Sequence, residues 1–170
     1  MTIARWRSVA LASAVAVDLI LSGCGEKRVP EPIEHVTANG VTVTVKLLPA
    51  VNGQRELQAT FSPQRPGIHI YSIDLPSQGI DGLGIPTRLS VHGDLTPVGK
   101  PPSTNVATRL LRPAGLQTGI PVYPDGPVTF TMPVRQTGSH QADVVVSYGA
   151  CSESRCLMPV TDEVIHLNLN

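Results

Sequence analysis

The chain of 170 residues lacks the patterns that mark several large classes of protein. Its 13 basic and 13 acidic side chains form neither a basic block nor an acidic tail, which argues against a nucleic-acid partner. No glycine-rich phosphate loop and no serine in a nucleophile-elbow sequence is present. No internal repeat occurs, and beyond residue 23 no stretch keeps a helical period. One β-rich domain with a real core is therefore expected.

Proline and glycine are abundant and dispersed, at 16 and 15 residues, which suits short strands and turns. Alternation of apolar and polar residues predicts strands at 41–47, 57–61, 128–132 and 164–169, and Asn52-Gly53 predicts a hairpin turn between the first two. Shorter strands are predicted at 67–73, 85–91, 106–111 and 142–148, with irregular loops at 76–84, 92–105 and 113–127. Seven to nine short strands predict an all-β, immunoglobulin-like β-sandwich, although the separated Cys…Trp…Cys pattern of antibody domains is missing.

The N-terminus has the pattern of an export signal. Arg5 and Arg7 precede an apolar stretch, residues 9–21, that is too short to span a bilayer comfortably. The sequence Leu21-Ser22-Gly23-Cys24 resembles a bacterial lipobox, in which the signal is cut before a cysteine whose thiol carries lipid. Asp18 within the apolar stretch departs from that pattern, and an ordinary signal peptide with an incidental cysteine is the alternative.

This interpretation divides the chain into a signal peptide (1–23), a lipidated tether (24–35) and the β-sandwich domain (36–170). Pro30 and Pro32 favour a tether over the start of an edge strand. The mature chain would carry one more acidic than basic side chain, so lipid rather than charge would hold it to a bacterial membrane. With Cys24 lipidated, Cys151 and Cys156 remain as an even pair in an oxidising extracytoplasmic compartment.

The pair Cys151 and Cys156 lies in the connection between the last two predicted strands, at an exposed end of the sandwich. A disulfide that closes so short a loop contributes about 2 kcal/mol, against about 4.7 kcal/mol for a loop near 100 residues. Spacing alone leaves redox work and structural stapling equally open. Metal binding is a third option, with His69, His166 or Met158 as further ligands, but nothing in the spacing demands it and no metal site is predicted.

The segment from Val146 to Pro159 resembles the active-site hairpin of the N-terminal periplasmic domain of the thiol:disulfide interchange protein DsbD. The shared features are an aromatic residue, a cysteine, a few polar residues, a second cysteine and a proline. Pro66-Gly67-Ile-His-Ile-Tyr71, Ile85-Pro86-Thr87 and the stretch from Tyr123 to Phe130 follow the family's order as well. The resemblance covers roughly residues 36–169.

The resemblance implies an immunoglobulin-like domain that passes electrons by thiol–disulfide interchange, without a cofactor. In the family, a membrane-embedded reductase supplies a thioredoxin-like domain, which reduces the cysteine pair. The pair then reduces extracytoplasmic disulfide proteins. By the same resemblance, Cys156 forms the intermolecular bond and Cys151 resolves it. The family joins these domains in one chain, so a stand-alone, lipid-anchored version with a separate reductase is expected here.

The candidate shielding or tuning residues are Tyr71, His69, Tyr148, Arg155 and Pro159. Tyr71 is expected to cover the disulfide, and His69, which replaces an aromatic residue common in the family, is a candidate proton acceptor. Arg155 is positioned in sequence to stabilise a thiolate, with Glu153 opposing it. The candidate cap segments are 78–84 and 100–105, and neither contains an aromatic residue. The alternative function is an immunoglobulin-like binding lipoprotein whose Cys151–Cys156 disulfide is only structural.

Overall fold

The structure is a computed structural model that describes residues 31–112 and 117–170. Its elements are twelve strands, β1 (Ile33–Ala38), β2 (Val41–Leu47), β3 (Arg55–Pro63), β4 (His69–Ile70), β5 (Arg88–Gly93), β6 (Leu95–Pro97), β7 (Arg109–Leu111), β8 (Ile120–Val122), β9 (Val128–Gln136), β10 (Gln141–Tyr148), β11 (Ala150–Cys151) and β12 (Val160–Asn168). The predicted signal peptide and Cys24 lie outside the described residues, within which no helix is long and apolar enough to cross a membrane.

Two antiparallel sheets face each other across one core. The larger has the strand order β1-β2-β3-β9-β6, and the smaller has the order β12-β10-β5. Their inner faces contribute to a single buried apolar cluster. The prediction of an all-β, immunoglobulin-like sandwich is therefore confirmed. Two small ribbons, β4 with β11 and β7 with β8, lie outside these sheets in the hydrogen-bonding pattern.

The core follows the alternation in the sequence. Every second residue of β2 is fully buried, beginning at Val41, and β12 likewise buries Ile165 and Leu167 while exposing His166 and Asn168. Phe61 occupies the centre, edge-on to Phe130 at 5.5 Å and to Tyr148 at 5.4 Å between ring centroids. Such edge-to-face pairs contribute about 0.5–1.5 kcal/mol beyond their buried area. The clearest predicted strands are thus confirmed as core strands.

The predicted tether needs correction at its end, because β1 begins at Ile33 rather than after residue 35. The prolines do not prevent this, since the N–H of Leu47 donates to the Pro32 carbonyl at 3.0 Å and β1 lies at a sheet edge. Asn39-Gly40, both with positive φ, joins β1 to β2 as a two-residue hairpin turn. The predicted β2–β3 hairpin around Asn52-Gly53 is confirmed.

Other boundaries also differ from the sequence prediction. The predicted loop 92–105 contains β6, and the predicted connection 113–127 contains β8. The predicted strand 67–73 is reduced to β4. Pro97 is accommodated because β6 is the other edge strand of the large sheet, where a missing N–H costs no ladder bond.

The two ends of the sandwich carry different features. The disulfide end is formed by the Asn39-Gly40 turn and the 151–156 loop, and Asn39 donates hydrogen bonds to the carbonyls of Met158 and Pro159, which follow the loop. The described chain starts at the opposite end, where Pro32 pairs with Leu47. β1 runs from there toward the disulfide end over roughly 20 Å.

Candidate functional site

The cysteine loop is a tight turn built by Ser152. Its Oγ accepts hydrogen bonds from the N–H groups of Ser154 and Arg155 at 3.3 and 3.1 Å, and its N–H donates to the Arg155 carbonyl at 2.8 Å. This side-chain-capped turn brings Cys151 and Cys156 opposite each other, and the two form a disulfide. The 151–156 loop is therefore ordered by local hydrogen bonds as well as by the S–S bond.

The two sulfurs differ sharply in exposure. Cys151 lies on β11 and is 0% exposed, whereas Cys156 is an exposed residue of the loop. A thiolate must approach the sulfur that it attacks, so only Cys156 is open to an incoming thiol in this state. The disulfide is accessible from one side only.

Tyr71 covers the buried side. β11 pairs with β4 so that Cys151 is opposite His69, which places the side chains of His69, Tyr71 and Cys151 on one face of the ribbon. The Tyr71 hydroxyl contacts Cys151 Sγ and lies 3.4 Å from Cys156 Sγ. Burial raises the pKa of Tyr71, so the phenol keeps its proton and can donate a hydrogen bond to sulfur. The prediction that Tyr71 is beside the disulfide agrees with this contact.

Two glycines make room for the Tyr71 ring. A Cβ on Gly149 would lie 2.7 Å from Tyr71 Cδ2, and one on Gly84 would lie 2.8 Å from Cε2. The Tyr71 N–H donates to the Gly149 carbonyl at 3.0 Å, and the buried Thr87 hydroxyl donates to the Tyr71 carbonyl at 2.7 Å. Glycine at positions 84 and 149 thus lets two backbone segments approach the Tyr71 ring more closely than a residue with a Cβ would allow.

An apolar cluster completes the shield around Cys151. It consists of Tyr71, Leu75, Leu111, Ile120, Val122 and Cys151, with Ile80 packed against it. Of the two candidate cap segments, 78–84 contributes Ile80 and Gly84 to this surrounding. The segment 100–105 instead joins β9 through hydrogen bonds between Ser103 and Thr131. Aliphatic side chains and Tyr71 thus form the shield around Cys151.

His69 is engaged from its far side. Arg109 donates from Nη2 to His69 Nε2 at 2.8 Å, so this nitrogen is the acceptor and the proton of the neutral ring is on Nδ1. Nδ1 is buried and has no hydrogen-bond partner among the described residues. The nitrogen able to accept a proton is therefore already occupied by Arg109.

The other sequence candidates have mixed positions. Tyr148 belongs to the main core, where its hydroxyl donates to the Ala38 carbonyl at 3.0 Å and burial, helped by Glu163, raises its pKa to about 12. Arg155 is an exposed loop residue next to Cys156. The Pro159 carbonyl accepts a hydrogen bond from Asn39 Nδ2 at 3.3 Å.

Two side chains that the sequence offered as optional metal ligands lie at different places in the sandwich. His166 pairs with Asp143 at 2.8 Å on the outer face of the small sheet, and Met158 is 75% exposed at the disulfide end. Within the ranges that the structure describes, no three His, Cys, Asp or Glu side chains are grouped as a metal site requires.

Sequence reasoning missed Gly149, Arg109 and Asn39. Gly149 stands between the aromatic residue and Cys151 in the motif itself, so its position was a signal for close packing. Asn39-Gly40 is a strong hairpin dipeptide that predicts β1. Arg109 gives no signal, because its contact with His69 joins residues 40 positions apart.

Comparison with known proteins supports the fold. No protein-family model matches the chain, and no curated protein is significantly similar to it. Among solved structures, the N-terminal periplasmic domain of ScsB from Proteus mirabilis is similar, with a TM-score of 0.55 and 16% sequence identity over 80% of this chain. The matched region spans 50% of that structure. The predicted resemblance to a DsbD-like N-terminal domain is thereby supported at the level of the fold.

Proposed function

We propose that this chain carries out extracytoplasmic thiol–disulfide exchange through Cys151 and Cys156. The observation that carries the proposal is the asymmetry of the pair, with Cys151 fully buried under Tyr71 and Cys156 exposed. A disulfide that only staples a loop has no need for one open sulfur and one shielded sulfur. An exchange protein needs both, because the partner must reach one sulfur while other thiols are kept from the second.

Reduction begins when a partner thiolate attacks Cys156 Sγ. A bond forms between the partner sulfur and Cys156, the Cys151–Cys156 bond breaks, and its electron pair leaves on Cys151 as a thiolate. The Tyr71 hydroxyl faces this sulfur and donates a hydrogen bond to the developing negative charge. A charge that forms among Leu111, Ile120 and Val122 would otherwise lack a polar partner.

The second step releases the partner. Its other thiolate attacks its own sulfur in the mixed disulfide, and Cys156 leaves as a thiolate. The Cys151 and Cys156 thiolates each take up a proton from solvent, which receives the two protons of the partner thiols. The partner dithiol has then been oxidised to a disulfide, and this chain has gained two electrons and two protons. In the opposite direction, Cys156 attacks an extracytoplasmic protein disulfide and Cys151 resolves the mixed disulfide, which returns the pair to its oxidised form.

The partners follow from this chemistry together with the resemblance. The electron donor is a membrane-embedded thiol reductase or a thioredoxin-like protein, and the acceptors are extracytoplasmic disulfide proteins. Lipidation of Cys24 would keep the domain at a bacterial membrane, on its extracytoplasmic side. The similarity to a periplasmic domain is consistent with that location.

Trapping in cells tests the proposal. Cys151→Ser leaves the exposed Cys156 without its resolving partner, so mixed disulfides with cellular proteins should accumulate and disappear on reduction. Cys156→Ser is the matched control, because it leaves only the buried Cys151. We expect the control to capture at least about tenfold less, since access to the sulfur limits exchange.

The alternative, a binding lipoprotein with a structural disulfide, predicts a different result. Neither variant would capture a protein thiol, and the wild-type pair would show a reduction potential below about −300 mV with no exchange with thioredoxin-like proteins. That combination would overturn the proposed function.

A further inference from the structure

A groove of about 520 Å³ lies directly beside Cys156. It lies between the Asn39-Gly40 turn, the chain after β3 and the segment that follows the cysteine loop. Its principal lining residues are Gly40, Arg65, Ile68, Arg155, Leu157 and Met158. The redox mechanism described above uses none of these side chains, so the groove requires an explanation of its own.

The groove has an apolar floor with a positive rim. Arg65 and Arg155 stand on two different chain segments and both are exposed. In the described part of the chain, neither is within ion-pair distance of a carboxylate. Of the nearby acidic residues, Asp125 accepts the Gly67 N–H at 2.9 Å and Glu153 lies at the exposed tip of the loop, and neither of them lines the groove. The groove is therefore complementary to a negatively charged partner.

Met158 adds exposed apolar surface at the same place. It is 75% exposed, two residues after Cys156, whereas large apolar side chains are generally better buried. An unbranched thioether adapts to differently shaped partners, which is why methionine is common at surfaces that bind several proteins.

The backbone that carries Met158 is fixed in advance. Asn39 Nδ2 donates to the carbonyls of Met158 and Pro159 at 3.0 and 3.3 Å. Leu157 is held from the other side, where its N–H donates to the Ala150 carbonyl at 2.9 Å. A groove that is already formed costs a partner little ordering entropy.

Disulfide geometry brings any partner to this surface. The Cα atoms of two bridged cysteines lie about 4.4–6.8 Å apart, so the residues that flank a partner's cysteine must pass over the surface next to Cys156. Arg155 and Leu157, the two sequence neighbours of Cys156, both line the groove. A partner bonded to Cys156 therefore places its adjacent residues in or over the groove.

Resting on the proposed function, we propose that this groove docks the protein partner of the exchange reaction, and that it selects a cysteine flanked by carboxylates and an apolar side chain. The carboxylates pair with Arg65 and Arg155, and the apolar side chain packs on Ile68, Leu157 and Met158. Partner choice is thereby separated from the sulfur chemistry, because Tyr71 and Cys151 lie on the other side of the disulfide.

Two model peptides test the groove in full-length protein that carries Cys24→Ser and Cys151→Ser, so that Cys156 is its one remaining cysteine. Each is a symmetrical disulfide of a capped peptide with one cysteine and one leucine, and the flanking charges are two Glu or two Lys. Cys156 attacks the peptide disulfide, one peptide stays bound as a mixed disulfide, and the other leaves as a thiol. The readout is the ratio of the Glu-peptide rate to the Lys-peptide rate, each normalised to that peptide's rate with 2-mercaptoethanol.

We expect a ratio of about ten at low ionic strength, falling toward one with added salt. Arg65→Glu with Arg155→Glu should invert the ratio. Arg135→Glu is the matched control, because it reverses an exposed arginine at the opposite end of the sandwich and should preserve the ratio. A ratio near one in the parent protein, or a ratio that is unchanged in the Arg65→Glu, Arg155→Glu variant, would overturn the proposal that the groove docks the partner.

Hydroxyethyl disulfide separates this proposal from the proposed function. It is small and neutral, so its rate reports the sulfur of Cys156 alone. If Cys156 reacts with hydroxyethyl disulfide while the ratio of the two peptide rates is one, the docking role of the groove is refuted and the exchange function stands. If Cys156 reacts with none of the disulfides in the folded chain but reacts after denaturation, the exchange function is wrong and the groove with it.

Discussion

The Tyr71 hydroxyl contacts the Sγ of Cys151, the sulfur that is fully buried. In the proposed exchange this contact would link the shielding of the disulfide to its chemistry, because the phenol that closes the site also faces the sulfur that would leave as a thiolate. Burial raises the pKa of Tyr71, which keeps the proton on the phenol while Cys151 gains charge. The relationship leads directly to a kinetic prediction.

Tyr71→Phe should slow reduction of the disulfide by dithiothreitol. The substitution keeps the ring between Gly84 and Gly149 but removes the hydrogen bond to the leaving thiolate. A hydrogen bond to a charged group contributes about 1.5–3 kcal/mol, so a loss of about tenfold in rate is expected when only part of that charge has developed in the transition state. Stopped-flow kinetics would measure it.

Tyr148→Phe is the matched control for Tyr71→Phe. It removes the hydroxyl that donates to the Ala38 carbonyl and should cost about 1 kcal/mol of stability, with little effect on the reduction rate. Equal rates in Tyr71→Phe and wild type would mean that Tyr71 shields the sulfur without assisting its departure.

Gly149→Ala should destabilise the chain and expose Cys151. The added methyl group would lie 2.7 Å from Tyr71 Cδ2, so the ring must move away from the sulfur. Overpacking of this kind costs about 1–3 kcal/mol. Urea unfolding would give the stability change.

A double-mutant cycle with Tyr71→Ala shows whether the ring is the cause. Removal of the ring removes the clash, so Gly149→Ala should cost much less in that background. An unchanged cost would place the strain in the backbone at residue 149 instead.

Alkaline pH should weaken the fold in a defined window. Burial and Glu163 raise the pKa of Tyr148 from 10.0 in the unfolded chain to about 12 in the folded one, and burial raises that of Tyr71 as well. Between these pH values the unfolded state loses protons that the folded state keeps, so stability is unaffected below pH 10 and falls from there to pH 12. Urea titrations across this range would measure the fall, and Tyr148→Phe should make it shallower.

The core strands were predictable because burial leaves a period of two in the sequence. Val41, Val43 and Val45 alternate with polar residues and are all fully buried, and the same alternation locates β9 and β12. The cysteine loop was predictable because it follows the last strong apolar strand before β12. These features are local, so a single sequence contains them.

The shield around Cys151 was not predictable because it is assembled from distant segments. Leu111, Ile120 and Val122 lie on short strands β7 and β8, which carry too few residues to show a period. They reach Cys151 only in the folded chain, where Val122 pairs with Tyr71 in an isolated β-bridge. Tyr71 is the exception, because its place beside the disulfide was expected from the resemblance of the segment that ends at Tyr71.

His69→Phe should leave the reduction rate within about twofold and stability unchanged or higher by about 1 kcal/mol. His69 Nε2 is occupied by Arg109, and its buried Nδ1 has no partner in the described ranges, so the substitution removes an unsatisfied polar group. Arg109 is exposed and regains water as a partner.

The same variant tests whether His69 accepts a proton during exchange. If it does, the rate of disulfide reduction should fall strongly in His69→Phe. The pH dependence of that rate should then show one titrating group fewer in the variant than in the wild type. Arg109→Gln is the companion variant, since it frees Nε2 and should increase any such role.

Cys24→Ser should release the protein from the membrane fraction without changing its rate of reduction by dithiothreitol. β1 enters the sandwich at the end opposite Cys156, where the Leu47 N–H donates to the Pro32 carbonyl, and runs roughly 20 Å toward the disulfide end. We expect a lipid on Cys24 to leave Cys156 on the side of the domain that faces away from the bilayer. A dye on Cys156 in the Cys151→Ser protein should transfer less energy to labelled lipid headgroups than a dye at Asn52→Cys, which lies in the turn near Pro32. The Asn52→Cys chain would also carry Cys151→Ser and Cys156→Ser, so that the dye attaches at residue 52. Retention of Cys24→Ser in the membrane fraction would contradict the anchor, and equal transfer from the two dyes would contradict the orientation.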